Sequence, residues 1–255
     1  MSERKLKNPP VLEALFELKW RLQDKPFRTD PHYKILIGSM YDKLKSEYPF
    51  HEQLPASSIP DELVGYVIQH RFRKDQNQWP LIQLGPGIIV LNDTQKYSWS
   101  DFSDRISKML EALFASYPDA DKNLDFNSSL LRYINAIPFN YDEKNIFQFV
   151  KERLKVTVDV VDKLFEDTGV NSSPSGINLG FTFPSNKPPG SIRLQFNRGK
   201  IKDSDALIWE TYVQSLDKET PKNIDTALGW ADTAHILSED WFFKLVKGEL
   251  LRRFE

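Results

Sequence analysis

The sequence predicts an α+β protein, with antiparallel sheet and helices packed on one face. Three observations predict it. Short runs in which apolar and polar residues alternate follow one another in hairpin-like succession. Longer stretches with apolar residues at helical spacing come after them. Of the 255 residues, 40% are hydrophobic and 27% charged, the balance of an ordinary folded chain. The order strands-then-helix occurs twice. The chain therefore reads as two similar α+β halves, 1–140 and 141–255, or as one fused domain.

The first run is Leu12 to Leu22. Ala14, Phe16, Leu18, Trp20 and Leu22 fall on one face, with Glu13, Glu17, Lys19 and Arg21 on the other, which is the pattern of a half-buried strand. A helix follows, with Asp30 as cap and Pro31 in the first turn. Tyr33, Leu36, Ile37, Met40, Tyr41 and Leu44 line its apolar face. Strands are expected over residues 66–73, 81–84 and 88–91, the last two separated by Gly85-Pro86-Gly87. Ser98 opens a helix whose face carries Phe102, Ile106, Met109, Leu110, Leu113 and Phe114. Residues 130–139 read as a strand. The second half is expected to hold a helix from Asp142 to Phe165, a loop over 169–176, strands over 177–183, 192–196 and 206–216, and a helix from Ile224 to Phe254 broken near Ser238-Glu239-Asp240.

Several function classes are excluded or disfavoured. The chain has no cysteine, so a disulfide framework, a thiolate nucleophile and a cysteine-based zinc site are impossible. Lys+Arg and Asp+Glu number 18 and 18 over residues 1–140, and 16 and 18 over 141–255. Neither half has the positive excess of a nucleic-acid binder, so no nucleic-acid partner is expected. No apolar stretch approaches the ~20 residues that span a bilayer, and the polar start Met1 to Leu12 is not a signal peptide. A cytoplasmic protein without a membrane partner is expected.

No motif assigns a catalytic role, a cofactor or a metal. Gly85-Pro86-Gly87 lacks the helix and the Lys-Ser/Thr of a phosphate loop and reads as a turn. Ser172, Ser173 and Ser175 lie in a loop without the Gly-x-Ser-x-Gly elbow. Of the four histidines, His32 and His51 are uninformative and His70 reads as a hydrogen-bonded core residue. His235 is the strongest candidate. It shares a helix face with Asp232, three residues earlier, so the carboxylate could orient the imidazole as a base. The bland alternative is a surface Asp–His contact beside Trp230. Arg132 and Asn135 lie in an apolar strand and need partners if buried. They are candidates for a ligand, another chain or an internal network.

Two segments carry a resemblance: Asn8-Pro9-Pro10-Val11-Leu12-Glu13-Ala14, and Leu131-Arg132-Tyr133-Ile134-Asn135, the latter following the helix start with Trp99 and Phe102. With Ala234-His235 and the Phe/Leu-rich C-terminal helix, the chain from residue 8 onward resembles a sporadically distributed, uncharacterised prokaryotic family of about this length. That family supplies no activity, cofactor or catalytic residue. Its patchy occurrence is similar to that of mobile or defence-related loci, whose products include antitoxins, immunity partners and antiviral subunits. The expectation is therefore a non-enzymatic interaction or regulatory subunit with a protein partner. The alternative is an enzyme or small-ligand binder with its site near Asp232 and His235.

Overall fold

The computed structural model describes residues 6–23, 29–60, 63–94 and 97–255. Its first strand, β1 (Val11–Trp20), follows the expected alternation: Ala14, Phe16, Leu18 and Trp20 are fully buried and their neighbours are not. This strand lies in the middle of one nine-stranded sheet. The other strands are β2 (Phe50–Gln53), β3 (His70–Arg73), β4 (Leu81–Gly85), β5 (Ile88–Asp93), β6 (Phe126–Pro138), β7 (Asn178–Asn186), β8 (Pro189–Ile201) and β9 (Ser204–Leu216). Their spatial order is β2-β3-β4-β5-β1-β6-β9-β8-β7, with every pairing antiparallel. The sheet runs unbroken across residue 140, because β6 before it pairs with β9 after it, from Ser128↔Leu216 to Pro138↔Ala206.

The helices are α1 (Tyr33–Leu44), α2 (Trp99–Ser116), α3 (Ala120–Asn123), α4 (Ile146–Leu154), α5 (Ile224–Leu245) and α6 (Glu249–Arg252). The antiparallel α+β expectation matches this architecture. Register aligns buried side chains across the sheet under α1, α2 and α5: Phe16 pairs with Leu131, Leu131 with Val213 and Val213 with Ile192. Trp230 of α5 lies 6.5 Å from Phe16, ring to ring. A second apolar cluster continues along the same face. It joins Ile137, Phe196, Leu207 and Trp209 to Val150 and Leu154 of α4 and to Leu250 and Phe254. The opposite face is mixed, with Leu15, Val90, Leu130 and Ile134 set among charged and amide residues. Arg71 donates to Gln83, Gln83 to Asn92 and Asn92 to Glu13, a side-chain ladder over four strands.

Two helices differ from the sequence expectation. The helix read from Asp142 to Phe165 is α4 alone, closed by Lys155 at φ +57°. Residues 156–160 then alternate between half-buried and exposed, which suits the β-branched Val156, Thr157, Val158 and Val160 better than a helix does. The expected break at Ser238-Glu239-Asp240 is absent. α5 runs through it, helped by the Asp240–Lys244 pair one turn apart, and the chain breaks instead at Gly248, φ +66°. Gly85-Pro86-Gly87 is the β4–β5 turn: Gly87 sits at φ +76°, and a Cβ on Gly85 would stand 2.1 Å from the Val67 carbonyl oxygen.

Asp30 does more than start a helix. Its buried carboxylate accepts from Trp20 Nε1 (2.8 Å), Tyr117 Oη (2.8 Å) and the His32 backbone N–H (3.0 Å), joining β1, the end of α2 and the start of α1. Burial, and then the adjacent carboxylate, raise the Tyr117 pKa, which keeps the phenol a donor. Asp30→Ala leaves two buried side-chain donors unpaired and is expected to cost about 3 kcal/mol of stability, with Asp30→Asn costing about 1 kcal/mol. Urea denaturation midpoints check this, and an unchanged Asp30→Ala midpoint contradicts it.

Candidate functional site

The helical face of the sheet carries a polar seam between its two apolar clusters. Along β6, Leu131 and Tyr133 belong to the first cluster and Ile137 to the second, with Asn135 between them. Along β9, Val213 belongs to the first and Trp209 to the second, with Thr211 between. Along α5, Ala234 packs in the first and Phe242 against the second, with Ser238 between. Two-residue steps on the strands and four-residue steps on the helix bring these changes of chemistry to one level. A pocket of about 240 Å³ opens there.

Three parts enclose it. The floor is Tyr133 and Asn135 of β6 with Thr211 of β9, Tyr133 and Thr211 being directly paired across the strands. One wall is α5, which presents His235, Ser238, Glu239 and Phe242, positions 0, 3, 4 and 7 of one helix face. The segment from Leu6 to Val11, a strap that leads into β1 beside Asn135, lines the third side. It is tied to the sheet where Ala136 N–H donates to the Pro10 carbonyl (3.0 Å), and to the C-terminal turn where Asn8 N–H donates to the Phe254 carbonyl (2.9 Å). Pro9 and Pro10 stiffen the strap, since the ring fixes their φ.

A row of aromatic and polar groups holds the inner end together. Tyr97 Oη and Tyr133 Oη are 2.8 Å apart, and Tyr133 Oη is 2.9 Å from His235 Nδ1. The His235 ring lies flat on Trp99, with centroids 4.1 Å apart and planes 7° apart. Trp99 Nε1 donates to Asp232 Oδ1 at 3.2 Å. α2, α5 and β6 are thereby locked at one point. Asn135 Oδ1 and Ser238 Oγ have no hydrogen-bond partner, although the residues are only 2% and 3% exposed. Such atoms cost stability unless something pairs with them.

His235 and Asn135, two of the four residues singled out from sequence, therefore line one pocket. Asp232 is exposed and reaches His235 through the Trp99 ring, so it braces the imidazole's stacking partner. Arg132 points to the opposite face, as strand alternation requires of an odd separation from Asn135. There it pairs with Glu210 of β9. The roles of Tyr97, Tyr133, Thr211, Ser238 and Glu239 were not read from sequence. The 0, 3, 4, 7 spacing from His235 was a legible signal for Ser238, Glu239 and Phe242.

The remaining histidines lie elsewhere. His51 Nε2 and His70 Nδ1 are 2.9 Å apart at the β2–β3 edge, with the rings stacked, and burial first and the His51 charge second lower the His70 pKa. His32 packs edge-on against Tyr117. Among the described residues no group of three or more His, Asp or Glu is placed to hold a metal ion, and no helix is long and apolar enough to cross a membrane. Neither the comparison with protein-family models nor that with curated proteins finds a match for the chain.

Proposed function

We propose that this chain is a ligand-binding protein and that the pocket beside the Leu6–Val11 strap is its site. The observation that supports the reading is one concave, largely apolar space whose lining gathers Tyr133, Asn135, Thr211, His235 and Ser238 from β6, β9 and α5. Pockets of this kind bind by apolar contact and orient their ligand with a few polar groups. The Tyr97–Tyr133–His235 row supplies polar groups that can also move a proton, so catalysis on the bound ligand is compatible with the site.

Binding makes an unusual demand on one residue. An asparagine kept for stability loses stability when replaced, whereas one kept for a ligand is a burden to the free protein. Asn135→Leu is expected to raise stability by about 1 kcal/mol and to abolish the binding of a mixed fragment set followed by ligand-observed NMR. A destabilised variant that still binds the fragments contradicts the assignment.

A separate observation favours a second reading, the regulatory, antitoxin-like or antiviral-defence subunit with a protein partner. Among the described strands β7 is at the sheet's edge, paired with β8, and its apolar Phe181 and Phe183 are 36% and 46% exposed, which suits strand addition. A low-salt pull-down from a cytoplasmic extract tests this. A stoichiometric protein lost on Phe183→Lys supports it, and a chain recovered alone counts against it. The even charge makes nucleic acid the least suitable partner in either reading, and the cysteine-free composition suits a cytoplasmic setting.

A further inference from the structure

We infer that the edge of β7 takes an extended segment of a partner protein in which apolar residues flank a carboxylate, and that the carboxylate pairs with Arg193; the inference rests on the second reading proposed above. Backbone alternation decides what the edge offers. Arg198 N–H donates to the Ile177 carbonyl (3.2 Å), and these two residues continue the register of Asn178↔Asn197. Odd-numbered residues of β7 therefore bond to β8, and even-numbered ones turn their N–H and C=O outward. Asn178, Gly180 and Thr182 present both groups. Pro184 has no N–H and ends the usable run.

The two faces of that run ask for different side chains. Leu179, Phe181 and Phe183 stand opposite Phe196, Leu194 and Ile192 and share the helical face with them. Phe183 lies 5.6 Å from Trp241 of α5, ring to ring, yet both phenylalanines stay exposed. An added strand would lay its own apolar side chains beside them. On the other face Arg193 of β8 pairs with Thr182, and its guanidinium reaches diagonally over Gly180, where a Cβ would stand 3.2 Å from Nη2. Gly180 has no side chain to stand between that guanidinium and a strand added at the edge.

Charge then names the occupant. Arg193 is half-buried and rests on the Tyr212 ring at 5.7 Å. The two carboxylates of β9 are engaged elsewhere, Glu210 with Arg132 and Asp205 with Arg198, and among the described residues none pairs with Arg193. A residue directly opposite Gly180 on an added strand has its Cβ about 5 Å away across the pair, so Asp or Glu there reaches the guanidinium. The same arginine argues against a second copy of this chain. The run Ile177 to Phe183 is centred on Gly180, and twofold pairing about that residue would bring two Arg193 guanidiniums together.

Random nonapeptides displayed on phage and selected on the immobilised full chain test this. The expected clones carry apolar residues on both sides of an Asp or Glu. Thr182→Pro, which removes one outward donor as Pro184 already does two residues on, is expected not to capture them. The strongest clone, made as a fluorescein-labelled peptide and followed by fluorescence anisotropy, binds about threefold tighter than a copy with the matching amide at the acidic position, in keeping with one half-exposed ion pair. Arg193→Gln removes that difference. Alternating apolar clones with no acidic preference, bound equally by the wild type and Arg193→Gln, overturn the charge pairing and leave strand addition standing. Clones that bind Thr182→Pro as well as the wild type, or a selection that yields none, overturn strand addition too. A chain that is dimeric by light scattering and monomeric as Thr182→Pro has its own copy at this edge, which overturns the proposed occupant.

Discussion

The site depends on one constraint, the register of β6 between β1 and β9 beneath α5. A strand shows alternate residues to alternate faces, so a slip of one residue would turn Tyr133 and Asn135 to the open face and bring Arg132 and Ile134 beneath the helices. The pairing is defended by bulk. Phe16, Leu131, Val213 and Ile192 sit side by side in one buried row, and Trp230 descends on it from α5. On the other face, Arg132 with Glu210 favours the same β6–β9 alignment, although a half-exposed ion pair contributes less than the apolar row.

Given that register, the polar seam is a consequence of spacing. Tyr133 and Thr211 are cross-strand partners, and one step along β6 comes Asn135. α5 crosses over them with Ser238 at the same level. The two apolar clusters that flank the seam supply the rigidity that a site needs, while the seam itself carries groups that a core would normally exclude. Asp232, Trp99 and His235 then join two helices to the strand through a hydrogen bond, a ring stack and a contact to Tyr133. Polar residues are thus used in two ways. Asp30 has its donors in place and ties elements together, whereas Asn135 Oδ1 and Ser238 Oγ are buried without partners beside the pocket.

Much of this architecture was legible in the sequence because it rests on local periodicity. β1 and α2 follow their apolar patterns within a residue or two, and α1 follows the apolar face read for it. The errors came where local pattern is ambiguous. Val150, Leu154, Val158 and Val161 have helical spacing, yet the β-branched run after Lys155 goes extended. Ser238-Glu239-Asp240 has the look of a break, but a buried serine at the seam and an Asp240–Lys244 pair keep α5 continuous. His235 and Asn135 could be singled out by residue type. Their convergence could not, since Tyr133 and His235 lie 102 positions apart and meet only through the sheet order and the path of α5. The strap was visible as the Asn8-Pro9-Pro10-Val11 segment, but its position beside the pocket depends on two backbone contacts, at Ala136 and Phe254.

On the proposed reading, the seam between the two clusters is where this protein meets its ligand. Crystals soaked in a fragment collection test it most directly. The expected result is fragments gathered in the pocket lined by Pro9, Pro10, Tyr133, His235 and Phe242. Fragments that collect elsewhere on the molecule, leaving Asn135 and Ser238 with nothing but protein around them, would contradict it.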